Sequence, residues 1–397
     1  MNHNMKEIKV RKHQLVYLKY FSPLIFIFIS CFLFSCKTEN LNNQTNKKTI
    51  VDSTIIAFKK NLLKQEIDSV FKKYDFNGSV AIFNDSVELY RKDNGFIDFK
   101  NKIKIDSNSV FPIASISKQF TAVLILLEME QGNLNLQDKV SQYLKEFQNK
   151  EYEKITIHQL LNHTSGLNSL GGKLMFKSGT DFYYSNEGFN SLGKIIEKIS
   201  GKSYDENVME LFQKAGMNHS STGNIFEGSD FASAYIGNSK NAEKIQNMPK
   251  RLAGKEIGIP AGGLLSTVND LHKWNCALYN GKILTPETLE MFISKTSERK
   301  HQVFGKIGYG YGIMMNLGKP KSVFHSGYIK GAPSLNIYYP ETKTSVIILS
   351  NIADEEKGKN AVFNPHKQIK KITDIIETTI SEMRKDISQP EINEESL

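Results

Sequence analysis

Four Ser-x-x-Lys patterns in this sequence could each place a hydroxyl beside an amine. They are Ser69/Lys72, Ser115/Lys118, Ser191/Lys194 and Ser297/Lys300. A serine attacks an acyl carbon only when a nearby base takes its proton, and a residue three positions further along a helix lies on the same face. Because the pattern is short and recurs, its surroundings must distinguish a nucleophile from an accident.

Ser115 has the surroundings that favour nucleophilic catalysis. It follows a strand-like run, Val110 to Ala114, and opens an apolar helix that continues through Phe120. The free N–H groups and the dipole at a helix N-terminus stabilise a developing negative charge. Lys118 would point toward the apolar body, where desolvation lowers the pKa of an amine. The alternative is that Ser115 only caps the helix. The other three serines lie on ordinary helices or in a charged stretch, so structural roles suffice for them.

Tyr184-Ser185-Asn186 is the only Tyr-x-Asn in the sequence. Together with Ser115 and Lys118 it resembles the second signature of the penicillin-recognising serine hydrolases. Four ordered stretches also resemble blocks of the beta-lactamase-related family, within a similarity that runs from about residue 55 to about residue 351. These stretches are Phe111 to Ala122, Ile155 to Leu167, Phe182 to Gly188 and Ala261 to Thr267.

The resemblance implies a fold and a set of catalytic roles. The fold is α+β, in which an antiparallel sheet flanked by N- and C-terminal helices meets an all-α lobe at an active-site cleft. Ser115 is implied to be the acylated nucleophile, Lys118 to assist its deprotonation, and Tyr184 to serve as general base and then acid. Asn186 would bind a substrate amide. No metal or organic cofactor is expected.

A third signature of the family, Lys-Thr-Gly, is replaced here by His325-Ser326-Gly327. His-x-Gly variants occur among the family's peptidases and esterases, so the resemblance favours a D,D-peptidase or esterase. The alternatives are a beta-lactamase proper and a sensor that binds such ligands without turnover. Gly327 would let substrate approach the strand, and the N–H of Tyr328 with that of Ser115 would form the oxyanion hole.

His325 carries a further expectation. It would replace a permanent cation with one that titrates near neutrality, so the binding of a substrate carboxylate would weaken as the pH rises.

The order of secondary-structure patterns independently favours the α+β fold. An amphipathic helix over residues 55–75 precedes a hairpin that turns at residues 84–86. Several helical stretches fill residues 155–278, strand-like runs return over residues 308–349, and residues 369–383 form a last amphipathic helix. This order predicts an antiparallel sheet assembled from both ends of the chain, with a helical insertion between them.

The N-terminus has the features of an export signal. A basic start precedes an uncharged run from Phe21 to Ser35, too short to span a bilayer comfortably, and the last residues resemble the bacterial lipobox. We expect residues 1–36 to be a signal peptide and Cys36 to be lipidated, which would anchor an exported protein in the cell envelope. A flexible tether, a hydrolase domain and a polar tail would follow, over residues 37–54, 55–386 and 387–397. The alternatives are an uncleaved anchor and an ordinary signal cut elsewhere.

The remaining composition excludes several other functions. The formal charge is +9, but acids are interspersed with the lysines and no basic stripe includes aromatic residues, so nucleic acid is a poor partner. We expect a monomer that binds a small-molecule or peptide substrate: a D-amino-acid peptide, an ester or a beta-lactam. Cys276 is the one cysteine beyond the signal and is expected to be a core residue.

Two other groups of residues are assigned structural roles. His158 and His163 are five positions apart, off the i, i+4 spacing of zinc ligands, and His163 looks like part of a turn. Tyr309 and Tyr311 are expected in the core or the cleft wall.

Overall fold

The computed structural model describes residues 41–255 and 257–388. The chain divides into two compact units, residues 1–57 and 58–397, and the described part of the first unit is helical. The predicted signal segment with Cys36, and all but the first two residues of the predicted tail, lie outside the described residues. Among the residues that are described, no helix is long and apolar enough to cross a bilayer.

Helices and strands alternate in the described chain as the sequence predicts. The α-helices are α1 Leu41–Tyr74, α2 Ser117–Glu130, α3 Ile157–Leu161, α4 Asn186–Ser200, α5 Tyr204–Ala215, α6 Ile259–Gly262, α7 Val268–Tyr279, α8 Pro286–Ile293, α9 Lys359–Val362 and α10 Asn364–Ser388. The strands are β1 Gly78–Asn84, β2 Val87–Asn94, β3 Phe96–Asp98, β4 Ile103–Lys104, β5 Phe111–Pro112, β6 Ser221–Thr222, β7 Tyr235–Asn238, β8 Asn241–Lys244, β9 Leu264–Ser266, β10 Ser297–His301, β11 Gly305–Tyr309, β12 Met314–Met315, β13 Val323–Ile329, β14 Ala332–Tyr339, β15 Thr344–Ser350 and β16 Ile352–Ala353.

The main sheet has eight antiparallel strands in the order β10-β11-β12-β13-β14-β15-β1-β2. Strand β1 pairs with β15, from Gly78 opposite Ser350 to Asn84 opposite Thr344. Both ends of the chain therefore build one sheet, which confirms the sequence prediction. Strands β14 and β15 are buried along their whole length, as expected where both faces of a sheet are covered.

Helix α2 lies at the centre of the helical part and sets the position of the nucleophile. It is buried on all sides through most of its length, which is why its sequence is apolar all round rather than amphipathic. Phe120 packs against Trp274 and Phe212, with ring centroids 4.1 and 5.3 Å away. This packing fixes the helix whose first turn carries Lys118.

The first and last helices are joined by a buried ion pair. Lys59 Nζ lies 2.6 Å from Glu377 Oε1, and both side chains are nearly inaccessible to solvent. Lys59 also donates to Thr344 Oγ1 at 2.8 Å, which ties α1 to the first residue of β15. Removing either partner would leave an uncompensated charge in the interior.

The part of the predicted flexible tether that the structure describes, from Leu41 onward, is helical and belongs to α1. The segment is rich in Asn and Thr, which have weaker helix propensity than Ala, Leu or Lys. Extending an existing helix fixes one residue for each hydrogen bond gained, which is easier than nucleating a new helix. Ser53 and Thr54 both donate to the Ile50 carbonyl, so their hydroxyls are satisfied within the helix.

The strand-like run over residues 308–315 is also interrupted. Strand β11 ends at Tyr309 and β12 starts at Met314, with Gly312 between them at φ +67°. A Cβ at Gly312 would lie 2.6 Å from the Lys118 carbonyl oxygen. The break therefore lets the chain turn tightly against the first turn of α2.

Candidate active site

Ser115 lies in a short 3-10 turn, Ala114–Ile116, that joins β5 to α2. The preceding Ala114 has φ +48°, which is uncommon for a residue with a Cβ and is often found at functional sites. The turn is anchored from behind, because Ser117 Oγ accepts the N–H of Leu264 at 3.1 Å. Ser115 is half-buried and lies two residues ahead of Ser117, the first residue of α2.

Strand β13 packs directly against this turn at Gly327. A Cβ at Gly327 would collide with the carbonyl oxygen of Ile113 and with Ser334 Oγ. Ser334 itself donates to the same Ile113 carbonyl at 2.9 Å. Sequence reasoning assigned this glycine to substrate approach, whereas the structure shows that it allows the close approach of the nucleophile turn.

Lys118 is completely buried behind Ser115, with three oxygens around its amine. Its Nζ lies 2.7 Å from the Ala261 carbonyl, 2.8 Å from Asn186 Oδ1 and 3.4 Å from Ser115 Oγ. Burial lowers the pKa of Lys118 well below its ordinary value of 10.5. A neutral amine in this position donates to Ala261 and Asn186 and keeps its lone pair for the Ser115 hydroxyl, so it can take that proton.

Tyr184 lies beside both Ser115 and Lys118. Lys118 Nζ lies 4.7 Å from the centre of its ring. Burial raises the pKa of Tyr184 to about 12, against the opposing effects of a hydrogen bond with Ser115 and the charge of Arg299. The phenol is therefore protonated at neutral pH and can donate a proton.

His163 holds the residues on both sides of Tyr184. Its carbonyl accepts the N–H of Tyr183 at 2.9 Å, and its Nδ1 accepts the N–H of Ser185 at 3.1 Å. The imidazole also packs on Tyr184, with ring centroids 4.3 Å apart. His163 is fully buried at φ +63°, so the turn that sequence reasoning assigned to it also supports a catalytic residue.

His325 does not have the environment that the sequence predicted. It is fully buried, with Nε2 3.0 Å from the Tyr309 hydroxyl and Nδ1 2.7 Å from the Ser326 carbonyl. Burial, with Arg299 acting in the same direction, holds the pKa of His325 well below 6.5. The expectation of a cation that titrates near neutrality is therefore wrong, because no carboxylate of the described residues faces this ring to compensate a charge.

The remaining predicted site residues lie on α4 and β13. Asn186 is the first residue of α4 and is exposed apart from its contact with Lys118. Ser326 is 6% exposed on β13. Tyr328 is half-buried and its hydroxyl donates to Glu355, which together with burial raises the pKa of Tyr328.

The sequence and the fold of this chain are similar to those of known proteins. Residues 63–364 match the beta-lactamase family. The chain belongs to that family. Penicillin-binding protein 4* of Bacillus subtilis (strain 168) is 27% identical over 348 residues, which cover 78% of this chain and 76% of that protein. A penicillin-binding protein from Bacillus halodurans has the same fold, with a TM-score of 0.67 at 21% identity over 78% of this chain and 99% of that one.

A second solved structure with this fold is a D-amino acid amidase from Ochrobactrum anthropi SV3. Its TM-score is 0.65 at 20% identity, covering 82% of this chain and 99% of the amidase. The beta-lactamase-like α+β fold predicted from the sequence is thus confirmed.

Arg299 is a cleft residue of this beta-lactamase family member that sequence reasoning missed. It lies on β10, with its guanidinium carbon 5.1 Å from the ring centre of Tyr184 and 5.3 Å from that of Phe182. Its side chain is partly exposed, and no carboxylate of the described residues pairs with it. In the sequence, Arg299 stands only in a charged stretch, and its contact with Tyr184 joins residues more than a hundred positions apart.

The other residues considered from the sequence have structural environments. His158 Nδ1 lies 2.7 Å from the Tyr311 hydroxyl, and its Nε2 accepts from Asn162 at 3.0 Å. Cys276 is half-buried and burial raises the pKa of its thiol, which disfavours the reactive thiolate.

Replacing Gly327 tests whether the contact of β13 with the nucleophile turn positions Ser115. We expect Gly327→Ala to push the strand from Ile113 and to lower the rate of acylation on the order of 100-fold, as for a displacement of about 1 Å. Gly318→Ala is the control, because no atom lies within 4 Å of a Cβ there. Acylation is measured with a fluorophosphonate probe. Equal rates in the two variants would contradict this role of Gly327.

Proposed function

We propose that the protein is a serine hydrolase that cleaves an amide or ester bond through an acyl-enzyme on Ser115. The observation that carries the proposal is the position of the buried Lys118 amine. Its nitrogen donates hydrogen bonds to Asn186 and Ala261, and its remaining hydrogen-bonding position faces Ser115 Oγ at 3.4 Å. A desolvated amine of lowered pKa is a suitable base for a serine hydroxyl.

Acylation uses Lys118 as base and Tyr184 as acid. Ser115 Oγ attacks the substrate carbonyl carbon while its proton passes to Lys118 Nζ. The resulting oxyanion accepts hydrogen bonds from the N–H groups of Ser115 and Tyr328. The bond to the leaving group then breaks, and the leaving group takes the phenol proton of Tyr184. The Lys118 ammonium returns its proton to the phenolate, so both groups regain their starting forms.

Deacylation repeats the cycle with water as nucleophile. Water gives its proton to Lys118 and attacks the ester carbon, and Ser115 Oγ leaves with a proton from Tyr184. This assignment revises the sequence-based expectation that Tyr184 is the first base. The reason is that burial lowers the pKa of Lys118 and raises that of Tyr184.

We infer that the preferred substrate carries a carboxylate close to the scissile bond, as in a peptide that ends in a D-amino acid. Arg299 supports this inference, since its guanidinium lies beside Tyr184 without a carboxylate partner in the described chain. The buried His325 is neutral and cannot serve as that cation. A D,D-peptidase is therefore favoured over an esterase that acts on uncharged substrates. Beta-lactams also carry a carboxylate, so this inference does not distinguish a D,D-peptidase from a beta-lactamase proper or from a sensor without turnover.

Acyl-enzyme formation is tested with full-length protein. We expect Ser115→Ala to lose labelling by a fluorophosphonate and a fluorescent penicillin, and to lose hydrolysis of p-nitrophenyl esters by on the order of 10⁴-fold or more. Ser191→Ala is a matched control, because it removes the hydroxyl of another Ser-x-x-Lys pattern. Labelling that persists in Ser115→Ala would overturn the nucleophile, and stable labelling of the unaltered protein without turnover would indicate a sensor.

The role of Arg299 is tested by substrate comparison. Arg299→Gln should lower kcat/KM for a peptide ending in D-alanyl-D-alanine by about 10- to 100-fold, the effect of losing a charged hydrogen bond. The corresponding C-terminal amide should be hydrolysed by both proteins at similar rates. Lys300→Gln, at the exposed neighbouring position, is the control. Equal losses on acid and amide would show that Arg299 does not recognise a carboxylate.

We also propose that the protein is exported and anchored to the cell envelope by a lipid on Cys36. The lipobox-like end of the signal segment supports this proposal. In a bacterial host fed radiolabelled palmitate, the full-length protein should incorporate label and fractionate with membranes. Cys36→Ala should abolish incorporation, whereas Cys31→Ala, within the same apolar run, should not. Label in Cys36→Ala would exclude this anchor.

A further inference from the structure

Two buried imidazoles and a phenol form a continuous hydrogen-bonded chain behind the active site. His163, Tyr309 and His325 are each completely inaccessible to solvent. Tyr309 links the two rings, with its hydroxyl 3.1 Å from His163 Nε2 and 3.0 Å from His325 Nε2. The three residues come from the turn after α3, from β11 and from β13, so the chain joins three separate elements.

The backbone groups at the two ends fix the direction of every hydrogen bond. The Ser326 carbonyl can only accept, so His325 Nδ1 carries a proton. The Ser185 N–H can only donate, so His163 Nδ1 carries none. In neutral rings, His163 Nε2 then donates to Tyr309, and Tyr309 donates to His325 Nε2. Each polar atom of the chain has one partner of the correct kind.

We propose that Tyr309 is a positioning residue that bridges the opposite tautomers of His163 and His325 and thereby holds the Tyr184 segment against strand β13. One end of the chain is His163, which binds the backbone on both sides of Tyr184. The other end is the Ser326 carbonyl, next to the glycine that seats the nucleophile turn. The catalytic consequence rests on the proposed function, because it concerns the proton donor Tyr184 and the nucleophile Ser115.

The hydrogen-bonded series His163–Tyr309–His325 is complete only while both rings are neutral. A second proton on His325 would place N–H groups from both rings against the Tyr309 oxygen, and the phenol proton would lose its acceptor. The titratable and charged groups that face His325 are Lys118 on α2, Arg299 and His301 on β10, Tyr309 on β11, and Tyr184. His163 faces Lys118, Arg299, His325 and the same two tyrosines. Within the described chain, none of these groups is a carboxylate that could stabilise an imidazolium.

The test compares Tyr309→Phe with Tyr311→Phe in full-length protein. Tyr311→Phe is a matched control, because the hydroxyl it loses binds His158, which is not part of the hydrogen-bonded series His163–Tyr309–His325. Imidazole 15N resonances of histidine-labelled protein report the tautomers, and His163→Gln and His325→Gln assign them. In the unaltered protein and in Tyr311→Phe we expect His325 as the Nδ1–H form and His163 as the Nε2–H form, with neither ring titrating between pH 6 and 8.

Tyr309→Phe should release both rings. We expect shifted Nε2 resonances of both rings, titration of His325 closer to pH 6.5, and a new decline in kcat/KM as the pH falls through that value. kcat at pH 8 should fall by about 10- to 100-fold with little change in KM, as for a misplaced catalytic group. Tyr311→Phe should keep the original pH profile.

Two results would overturn the proposal. One is an Nε2–H tautomer of His325 in the unaltered protein, which needs no variant and holds even if Tyr309→Phe fails to fold. The other is a folded Tyr309→Phe in which the titration of His325 and the pH profile are both unchanged. If the protein has no hydrolase activity, the proposed function fails, but the 15N resonances still decide whether Tyr309 bridges the two imidazoles.

Discussion

The removal of one primary amine from water is the constraint on which this structure depends. Placing Lys118 in the interior costs on the order of several kcal/mol unless its donors find acceptors. Its two acceptors come from the first residue of α4 and the short helix α6, and the Ser115 hydroxyl in the turn ahead of α2 faces its lone pair. The amine is satisfied only when these elements meet, so assembling the cleft and completing the core are one event. The same burial favours the neutral form of the amine, which is the form that can accept a proton.

Charge in the cleft is distributed between an uncharged interior and a cationic rim. The interior groups are a desolvated amine, a protonated phenol and two neutral imidazoles, all of which burial holds in their uncharged forms. Arg299 is partly exposed and supplies a positive charge beside them. A fixed cation at the mouth attracts an anionic ligand, while the low-polarity interior strengthens the few hydrogen bonds that act on the reacting atoms.

The sequence predicted the parts of the site that short motifs encode. Ser115, Lys118, Tyr184 and Asn186 converge as expected, and the sheet joins both ends of the chain because its strands had clear apolar runs. Arg299 and the Tyr309 hydroxyl could not be found, since their roles arise from partners far away in sequence. The expectation that His325 titrates near neutrality was wrong because the pKa of this ring depends on its burial, which is set by the tertiary structure. The helical tether shows the same limit, because continuity with α1 outweighed its weak local propensity.

The pairing of β1 with β15 has a consequence for biogenesis. A chain emerges N-terminus first, so the hairpin of β1 and β2 forms early with one side of β1 unpaired. That side is completed only by residues 344–350, and the bond between Lys59 and Thr344 spans 285 positions. An open strand edge is a template for aggregation, and such distant pairing is slow. The nascent protein therefore depends on a holding factor, or on remaining unfolded, until nearly all of it has been made, which is also the state in which a chain can be threaded across a membrane.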